Sequence, residues 1–422
     1  MNIFSAVRHY LIYAMIAAHV AGKYLFRLSP AAYLLFLRRA GHLLWAFRHN
    51  RVIKTTAGYK LQLYLPAYPS PAFFEALENK LLKKPPAPTS VVFSMTRACS
   101  YACPHCYQKT ERGADLPEEV LLDTLRQVRQ TGVTYFNIEG GEPFLRPERL
   151  ATILQALDAS CEIWVNTTGH AMTEALLKQL KALGLKGLMF SIHSPDPAIH
   201  DSFTGVPGSF AAAGQAMAIC KRNGLGLAIN SVLSEQELRG GQLPRLMELG
   251  KELRADFIQL IHPKPCGGWL EKTDGLQQDE DVLRLVEREH LYYNSWRTAG
   301  YPSLASQVFE ERSAGVGCTA GGIDRFYITA TGEVQPCEFL QISFGNVQEE
   351  AFAAIFARMR QEFAIPRRAW LCCEQRQAIV QTMAQNHLGN TPLPWQYTRA
   401  LAGKWSQGEP TPLYKQLGIY ES

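Results

Sequence analysis

Three cysteines stand at Cys99, Cys103 and Cys106, in the run Cys-Ser-Tyr-Ala-Cys-Pro-His-Cys, with Tyr107 directly after. The spacing C-x3-C-x2-C puts three thiolates on one short loop, enough for three corners of a cubane iron–sulfur cluster. Such clusters normally take four cysteines, so one iron is left open to bind a further molecule. Zinc is the competing reading. Structural zinc closes with four ligands, however, and no fourth cysteine or well-spaced histidine follows promptly. His105 lies inside the triplet and points elsewhere if both flanking thiolates converge.

A loop of this kind needs a frame. From residue 90 the chain alternates strand and helix, with strands expected at 91–96, 135–139, 162–166, 187–191, 225–232 and 257–261. Amphipathic stretches such as 117–130 and 173–183 lie between them. Six such units predict an α/β fold with a parallel sheet, curled or closed, and ligands at the carboxyl ends of its strands. The motifs fall there. The cysteine loop follows the first strand, and Glu139-Gly140-Gly141-Glu142-Pro143 ends the second. Asn166-Thr167-Thr168-Gly169 ends the third, and Ser191-Ile192-His193-Ser194 the fourth. Two adjacent glycines let a ligand approach the backbone closely.

The cysteine loop, the Gly-Gly-Glu run and these polar strand ends resemble the radical S-adenosylmethionine superfamily over about residues 89–375. The resemblance implies a partial (βα)6 barrel, a [4Fe-4S] cluster on Cys99, Cys103 and Cys106, and S-adenosyl-L-methionine chelated by the open iron. It implies that Gly140, Gly141 and Glu142, with Pro143, meet the methionine amino group. Tyr107, Asn166, Thr168, Ser191 and His193 would complete the cofactor site. The chemistry implied is one-electron cleavage of the sulfonium. A 5′-deoxyadenosyl radical then takes hydrogen from an unactivated C–H. The electron would come from a donor such as flavodoxin or ferredoxin.

Further on, Cys318 and Cys337 stand in the pattern C-x13-G-x4-C, with 326–328 and 333–335 reading as a hairpin through Thr331-Gly332. This resembles the twitch or SPASM extension, which holds an auxiliary cluster. The full downstream cysteine array is missing, and only Cys372 and Cys373 follow. A second iron–sulfur cluster is therefore expected on Cys318, Cys337 and one of that pair. Its fourth ligand would be solvent, substrate, Cys266 or the other member of the pair. Cys161 and Cys220 read as packed thiols, and Cys266 as a loop thiol at the active end.

Charge is unevenly spread. Residues 1–74 hold nine of the 43 Lys and Arg and no acid, while the other 34 face 38 Asp and Glu. Two apolar, aromatic helices are expected at 3–26 and 30–47, the second capped by Ser29-Pro30. The stretch free of Lys and Arg, His9–Gly22, spans roughly 21 Å as a helix, short of the roughly 30 Å hydrocarbon core. Basic residues bordering aromatic and aliphatic ones suit a helix lying in the lipid interface. The competing reading is simple packing on the barrel. The expectation is a cytoplasmic protein attached peripherally to the inner face of an anionic membrane. No nucleic-acid module is recognisable, and clustered cysteines do not make a secreted disulfide framework.

The predicted organisation is residues 1–50 as a membrane-associating segment and 51–88 as hairpin, short helix and proline-rich linker. The barrel takes 89–300, the auxiliary-cluster region 301–375 and a tail 376–422. Residues 61–77 and 91–108 also resemble radical enzymes that act on lipid chains, which implies a lipid acyl chain as substrate. Two alternatives are a peptide-modifying maturase and a non-catalytic zinc or iron–sulfur scaffold at a membrane.

Overall fold

A short antiparallel hairpin, β1 (Ile53–Thr55) and β2 (Gly58–Lys60), precedes the main sheet in the computed structural model. The structure describes residues 3–272, 276, 279–405 and 408–420, with side chains from residue 9 onward. The main sheet contains β3 (Ser90–Ser94), β4 (Tyr135–Glu139), β5 (Glu162–Thr167), β6 (Leu185–Ser191), β7 (Gly226–Val232), β8 (Phe257–Ile261) and β9 (Ser303–Ser306). These seven run parallel in sequential order. Strands β3 to β8 are rich in apolar residues, as expected of a parallel sheet covered by helices on its outer face. In the helix Glu118–Gln130, for example, Leu121, Leu125 and Val128 are buried, and Glu118 and Glu119 favour its first turn.

Two expectations change. The barrel has a seventh strand, β9, beyond residue 300; four small and mixed residues, Ser-Leu-Ala-Ser, carry too weak a pattern to be read as a strand. The carboxyl-terminal hairpin forms as expected, from β10 (Arg325–Ile328) and β11 (Val334–Gln335), and β10 pairs in parallel with β3 and extends the same sheet. The helix Leu371–Gln385 also runs across the boundary expected at 375. The sheet stays open, with β9 at one edge and β11 at the other; β11 pairs only with Tyr327 and Ile328, so the seam lies between β9 and the start of β10.

The barrel floor is filled by Leu63, Tyr135, Trp164, Met189, Ala228 and Phe257. Gly187 and Gly226 make room for the Trp164 indole, since an added Cβ would come within 2.6 and 2.5 Å of it. Beneath lies a buried ion pair, Lys60 Nζ to Glu162 Oε1 at 2.6 Å, and Glu162 also accepts the Trp164 indole N–H at 2.8 Å. Such a pair needs its remaining donors satisfied, and Lys60 also donates to the Leu65 carbonyl at 2.7 Å.

Helices α1 (Ile3–Leu25) and α2 (Pro30–Ala46) pack on α3 (Pro71–Leu81) through Ile16, Val20, Tyr24, Phe36, Phe73 and Leu77. Ser29 caps α2 by accepting the Ala32 N–H. Arg39 is buried and donates to the carbonyls of Leu81, Leu417 and Gly418. The helices are therefore packed on their inner face, as the competing reading expected. Their outer face still exposes Tyr10, Leu11, Phe26, Leu34 and Trp45. Among the described residues, no helix is long and apolar enough to cross a membrane.

Candidate radical and cluster site

The register sets Ser94 beside Glu139 and Ser191 beside Asn230, so the chemically active strand ends stand level at one rim. A cavity of about 430 Å³ opens there. It is lined by Cys99, Cys103 and Cys106 from the loop after β3, and by Tyr107, Gly140, Gly141, Asn166, Thr168, Ser191 and His193. All ten were singled out from sequence. No disulfide ties the three cysteines. Burial pushes Cys103 up to about 12 and Cys106 to about 11, the neighbouring thiols adding to the rise. Thiols so placed stay protonated until a metal takes them, which suits a cluster that releases protons on binding.

The glycines serve the loop itself. An added Cβ on Gly140 would lie 2.4 Å from the Thr96 carbonyl oxygen, and one on Gly141 2.2 Å from that of Ala98. Gly141 N–H donates to the Thr96 carbonyl and Glu142 N–H to that of Ala98, each at 2.7 Å. The Gly-Gly-Glu turn thus clamps the backbone that launches the cysteine loop.

Glu142 and Pro143 depart from expectation, because neither lines the cavity and both are buried. The Glu142 carboxylate is already filled by donors from the third strand end. It accepts the Thr167 hydroxyl at 2.7 Å, the Thr168 N–H at 2.7 Å, the Thr168 hydroxyl at 2.6 Å and the Phe144 N–H at 3.1 Å. Glu142 thereby holds Thr168, which lines the cavity. Two carboxyl groups line the cavity, Glu338 and Glu139, and sequence reasoning gave neither a role; the one at the end of β4 is Glu139. It accepts from the Tyr107 hydroxyl, Asn166 and Gln108. Burial pushes it up to about 8. Its place at the last residue of a strand was the available signal.

His193 is buried against His105 and Phe203, with ring centroids 4.6 and 4.5 Å away. Burial, then His105 and His200, hold it well below the usual imidazole range. His105, turned into this cluster, is lowered to about 4 by burial. Both are neutral packing groups beside the cysteine loop. Lys264 was also missed. It lines the cavity, its Nζ has no hydrogen-bond partner among the described residues, and it lies 2.9 Å from the centre of the Trp370 ring.

The second cysteine group lies behind this cavity. Cys318, Cys337 and Cys372 are buried, and Cys373 is exposed. Burial raises Cys337, with Glu338 and Cys318 adding to it; burial raises Cys266, with Cys337 adding to it; and the hydrogen bond with Cys373, then burial, raises Cys372, with a smaller contribution from Cys337. Cys318, Cys337, Cys372 and Cys266 therefore share one electrostatic neighbourhood. Cys266 lines the cavity and stands between the two cysteine groups. Of the adjacent pair, Cys373 is lowered to about 6 by a hydrogen bond from Cys372, which fits one member of the pair as ligand. Cys161 and Cys220 are packed thiols in the core. Among the described residues, no three His, Cys, Asp or Glu side chains converge on a point fit for one metal ion. Thiolates of a cubane bind separate irons and stand further apart, so the donors fit that cluster better than a structural zinc.

Comparison with known proteins agrees. Residues 93–237 match the radical SAM superfamily, and residues 318–377 match the SPASM iron–sulfur cluster-binding domain. AdoMet-dependent heme synthase of Methanosarcina barkeri is 22% identical, over 68% of this chain and 88% of its own. PqqA peptide cyclase of Xanthomonas oryzae pv. oryzae is 28% identical, over 64% and 74%. SuiB of Streptococcus suis, solved with the precursor peptide SuiA, superposes with a TM-score of 0.51 at 18% identity, covering 68% of this chain and 67% of its own. That likeness speaks for the fold.

Proposed function

Because this chain is a radical SAM enzyme with a SPASM extension, we propose that it removes a hydrogen atom from an unactivated carbon of a substrate lodged in the barrel, and that its second cysteine group carries an electron away from the product radical. The observation that carries the reading is the single cavity on which three free thiols and the polar ends of β4 to β7 converge. When bound, the [4Fe-4S] cluster and S-adenosylmethionine supply the 5′-deoxyadenosyl radical, with electrons from a flavodoxin- or ferredoxin-like donor.

The chain's own residues do the rest. The Gly140–Gly141 turn fixes the cysteine loop, and Glu142 fixes Thr168. Glu139 holds Tyr107 and Asn166 at the rim. The filled floor under Trp164 closes the lower end of the barrel beneath β4 to β8.

A peptide substrate is supported by the PqqA peptide cyclase relative. The relatives named above give no support to a lipid-modifying reaction. Peripheral membrane attachment is supported by the exposed aromatic and aliphatic face of α1 and α2 and by the exposed Arg27, Arg38 and Arg48. Flotation with phosphatidylglycerol vesicles, compared with phosphatidylcholine ones, tests that attachment; equal absence from both floated fractions sinks it.

The central experiment is anaerobic reconstitution with iron and sulfide, then dithionite and S-adenosylmethionine. Deoxyadenosine released by wild type and not by Cys103→Ala supports the reading. Iron-loaded wild type that releases none overturns it.

A further inference from the structure

A second cavity, of about 380 Å³, lies between the α1–α2 pair and the barrel. Much of its wall is apolar, including Ile16, Phe36 and Leu61, and Lys80, Glu310 and Asp324 line part of the remainder. Its size falls within the range of small-molecule sites, roughly 300–1,000 Å³. Gly41 of α2 lines it while remaining exposed, and an added Cβ there would meet nothing within 4 Å. The chamber therefore has a mouth on the outer face of the helices, the face that exposes Phe26, Leu34 and Trp45.

The chamber's inner end meets the radical cavity. Tyr64, Ser90, Gln259, Gln307 and Arg325 line both. Gln307 follows β9, Arg325 begins β10 and Ser90 begins β3. The two cavities thus adjoin along the seam where the sheet fails to close. On the barrel side the character changes. Asn137 Oδ1, Asn230 Oδ1 and Ser231 Oγ are buried there without hydrogen-bond partners among the described residues. Buried polar atoms are costly unless a ligand or water satisfies them.

We propose that the chamber holds the hydrocarbon chain of an amphiphilic substrate whose polar part lies in the barrel beside the cysteine loop. This deepens the radical reading above and rests on it. The cluster side is built to hydrogen-bond, so the reacting carbon belongs to the polar part. The apolar wall and its mouth on a cationic, aromatic face suit a single chain drawn from a membrane.

The test uses the full-length protein and cis-parinaric acid, an eighteen-carbon chain that fluoresces on entering an apolar site. The expected result is saturable binding of one chain per protein. Octanol, dodecanol and hexadecanol should displace it with successively higher affinity. Gly41→Trp and Ala40→Phe, which narrow the mouth and wall, should weaken binding about tenfold at an unchanged thermal midpoint. Absence of saturable binding, or displacement that ignores chain length, overturns the proposal, as does wild-type affinity in both folded variants. Should the variants unfold, the alcohol series on wild type decides alone. Deoxyadenosine release is scored separately, so its absence sinks the radical chemistry while chain binding is read on its own.

Discussion

Glu142 holds Thr168 twice, accepting its backbone N–H at 2.7 Å and its hydroxyl at 2.6 Å on the same carboxylate oxygen. This ties the second strand end to the third across the base of the cofactor cavity. Glu142→Gln brings an amide donor to a site that supplies only donors. Hydrogen bonds to a charged group contribute about 1.5–3 kcal/mol each, so a drop in stability of about 2 kcal/mol is expected. The variant should also show about a tenfold higher KM for S-adenosylmethionine, read in deoxyadenosine assays, because Thr168 is no longer held. An unchanged KM with unchanged stability contradicts the positioning role.

Two glycines should answer alanine in opposite ways. Gly141→Ala would drive a methyl group to 2.2 Å from the Ala98 carbonyl oxygen, so the cysteine loop must shift and iron loading should fall sharply. Gly22→Ala meets nothing within 4 Å in the body of α1. It should stabilise the chain by about 0.5–1 kcal/mol, the usual cost of glycine within a helix. Iron content and thermal midpoints of both variants check the contrast.

The two cysteine groups should separate in function. Cys103→Ala should abolish deoxyadenosine formation. Cys337→Ala should remove about four irons per chain while leaving uncoupled deoxyadenosine formation within about tenfold of wild type. Iron assay with Mössbauer spectroscopy distinguishes them. Equal loss of deoxyadenosine in both variants counts against the division of roles.

Removal of Lys60 should be costly. Its partner Glu162 is buried, and Lys60→Met would leave that carboxylate without its counter-charge. Breaking a buried pair from one side costs about 3–5 kcal/mol, whereas replacing both members by neutral residues costs far less. Denaturant melts of Lys60→Met and of Lys60→Met with Glu162→Gln should therefore show partial rescue in the double variant.

Glu310 sets a pH dependence. Burial pushes it up to about 7, even though Gln62 and Asn50 donate to it. Folding thus favours the neutral acid. Unfolded, the group ionises near its ordinary 4.5, so its stabilising share is complete below pH 4.5 and is lost as pH rises through 7. Glu310→Gln should flatten that decline and, at pH 8, exceed wild type by about 2 kcal/mol. Thermal midpoints measured from pH 4 to 8 give the comparison; parallel curves for the two proteins would falsify the assignment.

Much of the site was legible because its signals are local. Cys99, Cys103 and Cys106 carry their chemistry in their spacing, and the strand ends with Asn166 and Ser191 follow from apolar runs that stop abruptly. What was hidden depends on partners distant in sequence. Nothing near Glu142 announces that Thr167 and Thr168 will fill its carboxylate. The role of Glu139 appears only when Tyr107 and Asn166 are brought to it. The weak strand 303–306 is recognisable only from its backbone pairing with β8. The N-terminal helices kept two readings open because an apolar, basic helix can face a core and a bilayer at once, and theirs presents both faces.

Arg39 reaches the carbonyls of Leu81, Leu417 and Gly418, so one guanidinium of α2 joins segments 378 positions apart. Contacts of such separation carry a large loop-closure cost. This anchor therefore forms late in folding, once the intervening barrel has brought the two segments together, whereas the apolar packing of α1 and α2 on α3 needs only neighbouring sequence.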